Sequence, residues 1–298
     1  MKVLQCHSKG DLRFSPFFCQ VSFAGVKRSI ETHYQCAKRF KFAPIPKSWK
    51  EAKDYQKAGF ERLGFQLPNG LYLPPDTYEV QDLAVQFYIA LWYKYLRLHP
   101  QLIEYASQFD EFEDIFKGQF PFSQADVIRQ AVQEGIESLK PLCSDFLNLC
   151  SHFIQQDILT VQKGIIVHQV DCEGKMQSKL GQRIREKYPA VYEAYLDWYH
   201  KDKMTLGTVQ LVKIHQDFYV ANLAGQEKYS LFRTQAFGSH TDYDAVQTGL
   251  VELEHQGKQL NLKPFIPYRM GCGFGGGEWR IVCGLILKHC PSALICKC

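Results

Sequence analysis

The chain contains no apolar run approaching the ~20 residues that cross a bilayer, so neither a spanning helix nor a membrane partner is expected. Its opening, MKVLQCHSKG, lacks the apolar stretch of a signal peptide, and the cytoplasm is the expected compartment. Charge of one sign is scarce too: 35 Lys and Arg face 31 Asp and Glu, and the net +4 implies neither a dedicated polybasic surface nor a disordered tail. DNA stays open as a partner, but charge does not demand it. Cysteines are plentiful, at 11, yet the paired C-x2-4-C spacing of structural zinc is missing, and no metal is expected. The nearest approach is Cys296-Lys297-Cys298, with Cys290 six residues before Cys296. The odd count and the length exclude a small disulfide-stapled fold. There is no G-x-S-x-G elbow, Walker loop or H-E-x-x-H, which removes support for hydrolase-elbow, kinase and zincin chemistry, and no cofactor is expected.

What is present is 298 residues, 46% hydrophobic and 22% charged, enough for two domains. In the first half, alternating segments such as Gln20-Val21-Ser22-Phe23 precede a run from Ser29 to Phe40 whose Ile30, Tyr34, Ala37 and Lys38 fall at helical spacing. Pro44 and Pro46 end that helix. Residues 67–76, with three prolines and a glycine, read as an exposed crossover. Helices are predicted over Glu79 to Leu98 and Gln124 to Leu139, and Pro100 can open another. Residues 1–148 therefore form a mostly helical α+β domain with a small sheet.

From Asp157 the texture changes. A buried strand at Gly164 to Val167 leads to a helix over Leu180 to Tyr199, strands at Val209 to Ile214 and Tyr219 to Leu223, and a helix over Tyr243 to Glu254. Phe265-Ile266-Pro267, a periodic segment at Gly284 to His289 and a strand at Ala293 to Cys296 follow. This alternation predicts an α/β domain with a mixed sheet over residues 152–298.

The glycine run MGCGFGGGEW, residues 270–279, has five glycines in ten positions, so Gly271, Cys272, Gly273, Phe274, Gly275 and Gly276 can bring backbone N–H groups to a diphosphate. Opposite it, VHQVDCEGKM (167–176) lies at the carboxyl end of a strand, where open α/β sheets bind ligands, and is followed by a helix N-terminus. Asp157 can accept from an adenine amino group; as an isolated acid it is equally a cap. These residues resemble the macrodomain family, its phage and bacterial branch, in Asp157-Ile158, Val167 to Asp171, Met270 to Gly277, KYPAVYEAY (187–195) and VANLAGQEKY (220–229). The resemblance implies a three-layer α/β/α fold that binds ADP-ribose. It implies Asp157 at adenine, the glycine loop at diphosphate and Asp171 with His168 at the distal ribose, with Ile158 and Met176 also among the ADP-ribose-binding residues. Asp171 stands where the family has asparagine, and Lys179 can hold phosphate by charge. Gln226 and Gly275 occupy the positions of one hydrolase branch's lysine and aspartate, so that mechanism is absent; a phosphatase reaction would need His168 or Asp171 to handle the proton.

In the first half, Arg13-Phe14-Ser15-Pro16-Phe17-Phe18 precedes Glu31, Tyr34, Gln35 and Lys38, which lie at helical spacings of three and four. A carboxylate near an ammonium and an aromatic platform can hold a nucleoside and manage the proton of an N-glycosidic bond. Equally, Ser29 or Thr32 can open a capping box with Glu31 at the positive helix end. Phe14-Ser15 and Glu-x-x-Tyr-Gln-x-x-Lys, over roughly residues 8–140, resemble the NADAR family, as does the stretch 91–112, where His99 replaces an asparagine. That resemblance implies N-glycosidic hydrolysis with Glu31 as catalytic carboxylate. Lys38 and Arg13 would stabilise phosphates, beside Phe14, Ser15, Tyr34 and Gln35.

Together the two halves predict an ADP-ribosyl hydrolase that removes ADP-ribose from a nucleobase, DNA or nucleotide, next to an ADP-ribose-binding macrodomain. The alternatives are an ADP-ribose-1''-phosphate phosphatase and a non-catalytic reader of NAD-derived ligands.

Overall fold

The computed structural model describes residues 1–73, 81–115, 122–201, 204–228 and 240–297. The chain divides into two compact units, Met1–Ser151 and His152–Cys298.

The first unit runs β1 (Val3–Gln5), β2 (Gln20–Phe23), β3 (Val26–Ser29), α1 (Ile30–Ala37), β4 (Lys38–Phe40), α2 (Trp49–Lys57), β5 (Arg62–Gln66) and β6 (Tyr72–Leu73). It continues α3 (Gln81–Leu98), α4 (Gln101–Ala106), β7 (Glu111–Glu113), α5 (Gln124–Glu134) and α6 (Ser144–Ser151). Its strands form three small sheets: antiparallel β2–β3, antiparallel β4–β5–β6 and a parallel β1–β7 pair. The core gathers Phe14, Phe65, Phe87, Trp92 and Phe146, all fully buried.

Ser29 starts α1 by accepting from Thr32 N–H at 3.2 Å. The helix stops at Ala37, short of the predicted Phe40. Arg39 Nη1 donates to the Cys36, Ala37 and Lys38 carbonyls at 3.0, 3.1 and 2.8 Å, satisfying the orphan helix end, while Lys38–Phe40 pair with β5. The prolines at 44 and 46 therefore come too late to end it. The helix predicted to Leu139 likewise breaks at Gly135, whose φ of 86° suits glycine. The predicted crossover and the start of the Glu79 helix run into residues 74–80, outside the described residues.

The second unit runs β8 (Phe153–Gln155), β9 (Gly164–Asp171), α7 (Lys179–Lys187), α8 (Pro189–His200), β10 (Val209–His215) and β11 (Phe218–Gln226). Then come α9 (Tyr243–Leu260), β12 (Pro264–Pro267), α10 (Trp279–His289) and β13 (Leu294–Lys297). The sheet order is β10-β11-β9-β12-β13-β8, with only the β10–β11 pair antiparallel. The near-continuous burial of GIIVHQVD follows from the central place of β9. Asn222 reaches α8, donating toward Val191 O, while the next residue, Leu223, lies against Gly249 of α9. Successive strand side chains face opposite ways, so α8 and α9 cover opposite faces and the unit has three layers, α/β/α. The single predicted helix Leu180 to Tyr199 is two: Tyr188, held out of the helical region before Pro189 at φ -133° and ψ 71°, separates them, and Pro189 opens α8. Among the described residues no helix is long and apolar enough to cross a membrane.

Candidate functional site

In the second unit a cleft of about 180 Å³ opens where β9 and β12 end, between the 171–178 loop and the glycine loop. That volume is below the ~300–1,000 Å³ of a typical ligand pocket, so a ligand of that size would project into water. His168, Asp171, Met176, Gly271, Gly273, Phe274 and Gly275 line it, joined by Gln169, Gln226 and Tyr268. Asp157, Ile158, Lys179, Cys272 and Gly276 fall outside the lining.

Close approach requires glycine at two positions of the loop, Gly271 and Gly275. A Cβ on Gly275 would lie 2.3 Å from Thr241 Oγ1, and one on Gly271 2.5 Å from Gln169 Oε1. Thr241 fastens the loop, its hydroxyl donating to Gly271 O at 2.7 Å while the His240 and Thr241 N–H groups donate to Gly275 O. Gln169 Nε2 binds both Gln226 Oε1 (2.9 Å) and Thr241 Oγ1 (3.0 Å). Sequence reasoning missed this Gln169–Gln226–Thr241 lattice; polar residues at 169 and 226 inside otherwise apolar strands were the available signal.

The structure gives the Asp171 carboxylate a task within its own loop. At 3% exposure its carboxylate accepts from the Glu173, Lys175 and Met176 N–H groups (3.0, 3.1 and 3.3 Å) and from the Tyr195 hydroxyl (2.9 Å). It clasps its own loop, holding Met176 at a φ of 43°. His168, 2% exposed, donates from Nε2 to Asn222 Oδ1 at 2.6 Å, and Asn222 is oriented by donating to Gln210. Burial, opposed by that Asn222 contact, pulls its basicity down to about 4. A neutral imidazole so placed is a packed strand residue and holds no proton to give at neutral pH. Asp157 caps a short turn at Leu159 N–H, and Arg183 pairs with it at 2.6 Å and holds its carboxyl below the usual range. Ile158 is buried in the core. Lys179 is exposed at the first turn of α7, a turn without an acidic residue.

In the first unit α1 and the first residue of β4 bring Glu31, Tyr34, Gln35 and Lys38 together. Glu31, 7% exposed, accepts from Gln35 Nε2 at 3.1 Å and pairs with Lys53 Nζ at 3.4 Å. Lys38, 5% exposed, donates to Gln56 Oε1 at 3.3 Å with its ammonium 5.4 Å from the Tyr34 ring centre. Burial lowers its pKa to about 8; Arg62 and Lys53 push the same way and Glu31 opposes. Ser29 is a cap, accepting from Thr32 N–H. Arg13 is not part of the group: its guanidinium is exposed, grips Asp11 at 2.9 and 2.6 Å and covers Tyr105. Phe14 and Ser15 are fully buried, and the neighbouring Pro16 carbonyl accepts from Glu31 N–H at 2.8 Å, so this motif supports the first turn of α1 from below. The sequence reading missed α2. Trp49, Lys53 and Gln56, at helical spacings of four and three, put an aromatic ring, a cation and an amide on one face, a pattern visible beforehand.

The second unit is thus a three-layer α/β/α domain with a glycine-lined cleft at its strand ends. No family model matches the chain. Over 146 residues, 46% of this chain, it is 24% identical to a DNA ADP-ribosyl transferase-DNA ADP-ribosyl glycohydrolase fusion protein of Thermosipho africanus. The chain spans 38% of that relative's length. Among solved structures, the macrodomain of Mycobacterium tuberculosis DarG is 21% identical, covering 49% of this chain and 95% of that one, with a TM-score of 0.41. A macrodomain protein from Streptomyces coelicolor is 22% identical over 48% of this chain and 94% of its own, with a TM-score of 0.40. Thermosipho africanus DarTG in complex with ADP-ribose is 18% identical, covering 47% of this chain and 39% of that one, also at 0.40. About half of the chain is similar to macrodomain proteins; the NADAR resemblance rests on the sequence.

Proposed function

We propose that the chain removes ADP-ribose from a nucleobase by N-glycosidic hydrolysis at α1, and that its second unit binds ADP-ribose. The observation that carries the hydrolase reading is the buried pair of Glu31, in the first turn of α1, and Lys38, the residue that follows the helix end. A carboxylate and an ammonium are seldom both withdrawn from water without a task, because desolvating them costs several kcal/mol each. Glu31, paired with Lys53 and oriented by Gln35, activates water or stabilises the positive charge that develops at ribose C1. Lys38, whose proton is labile near neutrality, donates to the departing base while Tyr34 offers it a face. Diphosphate binding does not fall to Arg13, which is spent on Asp11.

For the second unit, the glycine loop and the acid-free first turn of α7 support a diphosphate between them. The engagement of Asp171 and His168 within the fold favours binding there over phosphatase chemistry. Glu31→Gln should lower hydrolysis of ADP-ribosylated guanosine by at least about a hundredfold, read as free base plus ADP-ribose. Unchanged turnover would refute the role of Glu31, and release of inorganic phosphate would favour the phosphatase alternative.

A further inference from the structure

Lys53 of α2 connects Glu31 to a pair of aromatic rings that the hydrolysis itself does not require. Its ammonium lies 3.4 Å from Glu31 Oε1, 5.1 Å from the centre of the Trp49 ring and 5.3 Å from that of Phe17. The two rings meet edge to face, 5.1 Å between centres at 75°, a favoured aromatic geometry that braces the tryptophan. The backbone of Trp49 is held as well, as the first residue of α2 after the Ser48 cap, which accepts from Glu51 N–H at 3.1 Å. Yet 37% of Trp49 remains exposed. A large ring already fixed in place, wetted on part of its surface and linked through one cation to a buried carboxylate, offers a flat platform with little entropy left to lose on binding.

We propose that Trp49 stacks the adenine of an ADP-ribosyl substrate, with Phe17 bracing the ring and Lys53 on the diphosphate, so that the first unit selects adducts of the whole ADP-ribosyl group over those of a phosphorylated ribose. The inference rests on the N-glycosidic reading above, which puts ribose C1 at Glu31, and adds what the far end of the sugar carries. The order of groups makes the assignment. Glu31 contacts Lys53 and Lys53 contacts Trp49, so carboxylate, cation and ring follow one another as ribose C1, diphosphate and adenine do in ADP-ribose. A departing base is bonded to C1 with no phosphate between them, and a ring reached through a cation suits it poorly. The Lys53 side chain is 37% exposed, and turning its flexible ammonium onto a phosphate uncovers the indole for a base.

The test pairs a change in the protein with a change in the substrate, using the full chain. Phosphodiesterase cleavage of the diphosphate in ADP-ribosylated guanosine releases AMP and leaves phosphoribosyl-guanosine with the same glycosidic bond. For the wild-type chain this truncation should raise KM about tenfold or more with kcat little changed, the range expected when one stacked base is lost. Trp49→Ala should raise KM for the whole substrate by a like factor and leave the truncated one nearly unaffected, with Trp49→Phe, which keeps a ring, in between. An equal rise for both substrates in Trp49→Ala would give the ring to the departing base, and no rise in either would leave it without a ligand; each overturns the proposal. Binding is read without turnover from the indole fluorescence quenched as AMP is added, taken as the difference between wild type and Trp49→Phe so that the other tryptophans cancel, with both folds checked by circular dichroism. A saturating quench in that difference is expected, and its absence, or an equal quench by guanosine, overturns the subsite. If the wild-type chain hydrolyses neither substrate, the N-glycosidic reading falls while the fluorescence difference still decides the subsite.

Discussion

Asp171→Ala separates a residue that builds the cleft from one that touches the ligand. The substitution strips an acceptor from three backbone N–H groups and the Tyr195 hydroxyl. Tyr195 keeps a second acceptor in Asp171 O at 2.7 Å, and water can reach the partly buried Glu173 and Lys175 amides. The Met176 N–H is buried and has nowhere to turn. An orphaned buried donor costs about 1–3 kcal/mol, and each charge-assisted bond to the wetter amides adds ~1 kcal/mol at most after screening. The expected loss is about 3 kcal/mol, with Asp171→Asn intermediate and Tyr195→Phe near ~1 kcal/mol. Hydrogen exchange with mass spectrometry reads this within residues 152–297 of the intact chain, without assuming two-state unfolding of both units. Because the clasp positions Met176, Gln177 and Ser178 at the cleft, ADP-ribose affinity by calorimetry should fall in the same order as stability. A variant that loses affinity while keeping full protection would refute the clasp and return Asp171 to the ligand.

Gly275→Ala should weaken ADP-ribose binding about tenfold or more in calorimetry, because its Cβ would sit 2.3 Å from Thr241 Oγ1 and 2.6 Å from Gly271 O. Wild-type affinity would show that the loop yields without consequence. The folded-state pKa of His168 lies below its unfolded value, so the stabilisation is complete above ~6.5 and is lost as pH falls through about 4. The loss is about 3 kcal/mol. Hydrogen exchange of β9 at pH 7 and near pH 4 measures it, and His168→Gln should flatten it. Lys38, with its pKa lowered to about 8, should make hydrolysis fall as pH rises through about 8, and Lys38→Arg should move that fall to higher pH in a rate profile. A profile indifferent to the arginine variant would remove Lys38 from proton transfer. Lys38 also makes the first unit more stable as pH rises from about 8 toward its ordinary value near 10.5, because there the unfolded chain binds more protons.

What the sequence determined by itself was local. The alternation from Asp157 onward, the apolar run of β9, the glycine loop, the Ser29 cap and the Glu31 to Lys38 spacing all follow from periodicities that neighbouring residues enforce within one or two turns. Pro189, Gly135 and Lys38 mark where local signals were overridden or misread: a proline opened a new helix, a glycine ended one early, and pairing with β5 drew Lys38 out of its helix. Only the tertiary structure decided what each charged or polar side chain does, because a hydrogen-bond partner is chosen in space. Asp171 was spent on amides two to five residues away and on Tyr195 from α8, His168 on Asn222 from a neighbouring strand, and Arg13 on Asp11. Lys53 and Gln56 came to Glu31 and Lys38 from a separate helix. Burial, which lowers the basicity of both His168 and Lys38, belongs to the packed chain and to no segment of it.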